Sequence, residues 1–265
     1  MTIQKFPLET LKKVRQYIQG TLVLSDAKTQ PQSWAELDEE NELPEPESLD
    51  DLSGVFAFGG LSEEELSGST QRDRWFVSTV NPADSLLKLP GLSLNPAFRL
   101  VSYLYRAGED GVGLVVAVPE RYSTMVHLEK SLQTCGDISQ PPKPDNALPQ
   151  FMEAIDGDRS PLSFLIASLF RRELQEFGAL GNRCQWSHHR FIDALPAQAN
   201  CQWRVEPSPK DFSPKVKVLP TGQAAVEFFT YRAGNPIVIY RHLDQYAAQN
   251  YKVNPLDKAI ALIQR

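Results

Sequence analysis

The sequence predicts an α+β fold in which antiparallel β-hairpins pack with several helices. Three observations carry this reading. Two β-prone runs, 98–105 and 112–118, flank a turn containing Gly108, Asp110 and Gly111. A second hairpin pattern spans 224–240, and both first arms end in Tyr-Arg-Ala-Gly. Strands and helices alternate too irregularly for a doubly wound parallel sheet.

Along the chain, residues 1–22 read as an amphipathic N-terminal helix. Leu8, Leu11, Val14 and Ile18 recur at helical spacing, with Lys12, Lys13 and Arg15 elsewhere on the wheel. Residues 23–52 lose periodicity and become rich in Pro and Glu, as an acidic, flexible linker does. Residues 53–135 form an N-terminal α+β half, with a strand at 74–80, the first hairpin, and a helix from Pro119 to about Leu132. A proline-rich connection occupies 136–149. Residues 150–265 form a C-terminal α+β half. Its first long helix starts at Ser160-Pro161, a capping side chain followed by a proline suited to the first turn, and stops at Gly178. That helix is expected to be central and buried over its first half, with Arg171, Arg172, Glu173 and Glu176 at an exposed end. Strands at 215–219, 224–231 and 237–240 follow, and Asn254-Pro255 predicts a final helix bearing Leu256, Ile260 and Ile263. The repeated Tyr-Arg-Ala-Gly raises an internal duplication of a hairpin-plus-helix unit, which would gather Tyr105, Arg106, Tyr231 and Arg232 around one groove.

Composition bounds the function classes. A chain of 265 residues with 42% hydrophobic and 23% charged residues can bury a core without disulfides or metals. The longest apolar run, 162–170, is too short to span a bilayer, and the N-terminus lacks a secretory signal pattern. Cys135, Cys184 and Cys201 fit free thiols in a reducing compartment, so a cytoplasmic location is expected. Nine carboxylates fall between Glu36 and Asp51, more than the formal net charge of −6, so the rest of the chain is mildly basic and open to an anionic partner. Those carboxylates are expected to be drawn to a basic surface when it is empty.

Candidate chemistry concentrates in Cys184-Gln185-Trp186-Ser187-His188-His189-Arg190, followed by Cys201-Gln202-Trp203. Cys184, His188 and Cys201 are zinc-type ligands, but the cysteines lack the close pairing of structural zinc sites and the histidines are adjacent. Cys184 or Ser187 could serve as a nucleophile activated by His188, His189 or His242, with Asp193 or Asp244 as orienting carboxylate. No nucleophile elbow or phosphate loop accompanies them, and Gly108 to Gly113 sits inside a hairpin rather than before a helix. Arginines beside aromatics recur more often, which selects Tyr105, Arg106, Trp186, Arg190, Tyr231, Arg232, Tyr240 and Arg241 as a partner-binding set. The leading expectation is therefore a non-enzymatic interaction, assembly or regulatory factor with a protein partner, within a larger complex, and with no cofactor. The alternatives are an enzyme or metal-binding protein centred on Cys184, His188, His189 and Cys201, and a single-stranded nucleic-acid binder.

Overall fold

The structure is a computed structural model that describes residues 2–23, 73–195 and 200–263. The acidic linker and the start of the N-terminal half lie outside the described residues. Within them the fold is mixed α and β, with antiparallel sheets dominating the helices.

The N-terminus pairs as strand β1 (Thr2–Lys5) before helix α1 (Leu8–Thr21). Leu11, Arg15 and Ile18 face inward at helical spacing. Arg15 was expected on the polar face; it is buried instead, because its guanidinium finds acceptors inside the protein.

A three-stranded sheet orders β2 (Trp75–Val77), β4 (Phe98–Ala107) and β5 (Asp110–Pro119). The β4–β5 hairpin pairs as far as Ala107 opposite Asp110, so Gly108 and Glu109 make a tight turn for which Gly108 adopts φ +58°. Helix α2 (Met125–Leu132) covers this sheet, packing Leu128 over Trp75, Tyr103 and Tyr105. The helix expected from Pro119 is divided: a single turn at 120–122 precedes α2. Two short strands, β3 (Leu92–Leu94) and β6 (Ile155–Gly157), pair with each other.

Helix α3 (Pro161–Gln175) begins as its sequence predicts, with Ser160 Oγ accepting from the Ser163 amide 3.1 Å away. It packs against α1, β5 and the large sheet, and its buried residues run without a break from Ser163 to Leu174. Arg171, Arg172 and Glu173, expected on an exposed end, are therefore buried. Gly178, at φ +73°, ends the segment, and Phe177 lies so close to β5 that a Cβ on Gly113 would stand 2.0 Å from its carbonyl oxygen.

The large sheet of the described residues runs β1, β9 (Lys215–Val218), β10 (Ala224–Arg232), β11 (Ile237–Tyr246), β12 (Val253–Ile263) and β8 (Cys201–Trp203). Strand β7 (His189–Ile192) pairs with the second half of β10, beside β9. The final segment is thus a strand, not the helix that Asn254-Pro255 suggested. Pro255 sits opposite Asp244, and β8 reaches only Ala261 to Ile263, so among the described residues this stretch of β12 is a sheet edge, where a proline is tolerated.

The two Tyr-Arg-Ala-Gly segments lie in different sheets. Arg106 and Ala107 stay within the first ladder, whereas pairing in the second ends at Arg232 opposite Val238. Tyr105 is buried against Trp75, their rings 5.6 Å apart, and Arg106 donates to the Gly178 carbonyl at 2.8 Å.

Candidate functional site

Alternation along the strands sets one face of the large sheet toward α3. On β10 and β11 that face carries Phe228, Thr230, Arg232, Tyr240, His242 and Asp244, and on β7 it carries His189 and Phe191. Trp186, in the turn just before β7, lies over it, stacked on His189 at 5.4 Å and edge-on to His242 at 5.4 Å. Buried polar groups here must find partners, and they form one chain of contacts.

His189 Nδ1 is 2.7 Å from Thr230 Oγ1, which is 2.8 Å from His242 Nε2. His242 Nδ1 is 2.7 Å from Asp257 Oδ1, and Arg172 Nη2 donates to the same oxygen at 2.8 Å. Arg172 also pairs with Asp244 through both of its terminal nitrogens. Arg171 lies 3.4 Å from Asp244. Burial lowers the pKa of His189, and the neighbouring His242 and Arg232 add to it, so that it is pushed down to about 4. Burial lowers that of His242 as well, with Asp257 opposing. Burial acts to raise the Asp257 carboxyl, but the His242 hydrogen bond and the charge of Arg172 outweigh it and hold the group well below the usual range.

A second cluster fixes the position of Trp186. Its indole N–H donates to Glu173 Oε1 at 2.6 Å, and Arg15 ion-pairs with the same oxygen at 2.9 Å. Arg15 also donates to the carbonyls of His189 and Trp186, and its guanidinium stacks 4.8 Å from the indole centroid. Glu176, at the end of α3, accepts the backbone amides of Gln185, Trp186 and Ser187.

Between this face, the end of α3 and β5 lies a cleft of about 610 Å³, within the usual range for ligand sites. His189, Arg232, Tyr240, Arg183, Gln175 and Asn182 are among the side chains that line it. Its acids are already engaged, Asp257 by His242 and Arg172, and Glu176 by three amides. Arg232 and Arg183 are exposed and have no acidic partner among the described residues.

Comparison with protein-family models, with curated proteins and with solved structures finds no match for the chain.

Of the partner-binding set, Trp186, Arg232 and Tyr240 meet at the cleft. Arg190 and Tyr231 face each other across the β7–β10 ladder and line a separate groove beside Lys12 of α1. Arg241 pairs with Glu227 on the opposite face of the sheet, and Tyr105 and Arg106 belong to the other sheet. Of the nucleophile and zinc candidates, Cys184 Sγ contacts the Ala179 carbonyl at 3.4 Å, His188 is exposed, and Cys201 packs with Phe229 and Phe212 on the face turned away from Thr230. Among the described residues, no group of three or more His, Cys, Asp and Glu side chains is placed to hold a metal ion. Neither Cys184 Sγ nor Ser187 Oγ hydrogen-bonds an imidazole among them.

Thr230, His242 and Asp257 stand in the order hydroxyl, imidazole, carboxylate, which is the order of a nucleophilic triad. Thr230 is 0% exposed and its oxygen is also bound to His189, so a substrate carbonyl has no approach to it. The arrangement instead positions His189 at the cleft wall. Sequence reasoning missed Thr230, Asp257, Arg172 and Arg183. Thr230 did leave a trace: with His242 and Asp244 it breaks the apolar alternation of two otherwise inward-facing strands.

Proposed function

We propose that this chain is a non-enzymatic interaction factor that takes a carboxylate-bearing segment of a protein partner into the cleft beside Arg232. One observation carries the reading: Arg232 and Arg183 line the cleft without an acidic partner among the described residues, while the buried Arg15, Arg171 and Arg172 are all paired to carboxylates. Guanidinium matches carboxylate in geometry as well as charge, and Trp186 and Tyr240 supply the aromatic surface of an interaction hot spot. A nucleic-acid strand fits less well, since two arginines, Arg183 and Arg232, are few for a run of backbone phosphates.

The test uses fluorescence anisotropy with the full chain. A fluorescein-labelled glutamate-rich peptide with a free C-terminus is compared with its amidated glutamine counterpart and with labelled single-stranded DNA. The reading expects the glutamate peptide to bind, to weaken with salt, and to lose binding in Arg232→Glu and Arg183→Glu. Equal binding by the glutamine peptide, tighter binding of DNA, or no effect of either substitution would overturn it.

A further inference from the structure

The imidazole at the cleft wall has its protonation pattern set from behind. Asp257, when ionised, can only accept, so its 2.7 Å contact places a proton on His242 Nδ1. Burial and the charge of Arg172 keep His242 from taking a second proton, against the pull of Asp257. Its Nε2 is then a lone pair, and the 2.8 Å contact there is donated by the Thr230 hydroxyl. A hydroxyl has one proton, so the 2.7 Å contact between Thr230 and His189 Nδ1 must be donated by the imidazole. His189 therefore carries its proton on Nδ1. Its Nε2 is an acceptor, with no hydrogen-bond partner among the described residues, on a ring that lines the cleft.

Arg232 stands directly opposite His189 in the β7–β10 ladder, so the two side chains share a face as near neighbours. A group that can only donate is thus set beside a nitrogen that can only accept. A bare carboxylate satisfies the first and turns lone pairs toward the second.

We infer that the cleft recognises a carboxylate flanked by an amide N–H, the pattern that a polypeptide presents at its C-terminus. Arg232 takes the carboxylate, and His189 Nε2 accepts from the N–H of the same terminal residue. Thr230, His242 and Asp257 are positioning residues, which act by holding the His189 tautomer. The inference rests on the carboxylate reading above and adds the required neighbour.

Two small acids test it on the full chain. N-acetylglycine has the carboxylate and the N–H, while N-acetylsarcosine has the same carboxylate and a methyl in place of that hydrogen. Titrations followed by nitrogen-15 NMR of the histidine rings are expected to show an unprotonated His189 Nε2. They should also show about five- to tenfold tighter binding of N-acetylglycine, with the His189 Nε2 resonance shifting on binding. Thr230→Val should bring the ratio close to one and Thr230→Ser should restore it; if Thr230→Val does not fold, the wild-type ratio and ring spectrum decide. A proton on His189 Nε2 overturns the inference. So does equal binding of the two acids; if Arg232→Glu then abolishes both, the carboxylate reading still stands. Failure of N-acetylglycine to bind also overturns it, and the glutamate-peptide measurement judges the carboxylate reading separately.

Discussion

Arg172 of α3 and Asp244 of β11 form a bidentate ion pair in the protein interior, one arm 2.9 Å long, with the Asp244 side chain 0% exposed. Burying both charges is costly, and the mutual attraction offsets that cost only while both partners are present. Asp244→Ala leaves Arg171 and Arg172 buried beside each other with one acid fewer. The expected loss is about 3–5 kcal/mol in urea denaturation. Lys130 and Asp145, 3.4 Å apart and both exposed, give the contrast: Lys130→Ala should change stability by less than about 1 kcal/mol.

The folded state should weaken as the medium turns acidic, and His189, with His242 acting in the same direction, sets the first part of the window. Its pKa falls from 6.5 to about 4 on folding, chiefly through burial. Above the unfolded value both states are neutral and the full stability is present. Between the two values the unfolded chain binds a proton that the folded chain refuses, so stability is lost as pH falls and the loss levels off below the folded value. The size is on the order of 3 kcal/mol. Asp257, also held low, extends the decline below the usual carboxylate pKa. Urea midpoints measured from about pH 7 to about pH 4 check this, and His189→Gln should flatten the upper part of the curve.

Arg171 and Arg172 are residues that local sequence patterns placed badly, and the reason is physical. Ser160-Pro161 announces α3 because a helix start is a local event, settled by groups within one turn. Whether Arg172 is exposed depends on Asp244 and Asp257, which lie 72 and 85 residues away in sequence. Read by itself, a run of Arg, Arg and Glu looks like a solvated helix end. β12 misleads in the same way: Leu256, Ile260 and Ile263 have helical spacing, but the ladder with β11 from Val253 to Ile263 overrides it. The cleft is legible only in part. Trp186, Arg232 and Tyr240 could be selected as residue types, but the pairing of Arg232 with His189 is a property of register.

Gly113 tests how closely α3 and the first hairpin approach. An added Cβ would stand 2.0 Å from the Phe177 carbonyl oxygen, a backbone atom that cannot swing aside like a side-chain tip. Gly113→Ala should therefore move the backbone and cost roughly 1–3 kcal/mol. Gly20 is the control within an element, since a Cβ there meets nothing within 4 Å. Gly20→Ala should leave the thermal midpoint unchanged or raise it slightly.

Arg15 joins stability to the cleft. A single guanidinium donates to the carbonyls of His189 and Trp186 at 2.6 and 2.8 Å, ion-pairs with Glu173, and stacks on the indole of Trp186. Lysine keeps the charge but cannot reproduce the planar fork, so Arg15→Lys tests geometry rather than charge. The expected loss of stability is about 1–3 kcal/mol, with faster amide exchange in α1. Since the two carbonyls belong to residues that line the cleft, Arg15→Lys should also weaken binding of the labelled glutamate peptide, although Arg232 and Arg183 are untouched. Normal peptide affinity in a destabilised Arg15→Lys protein would show that α1 clamps the fold without positioning the cleft.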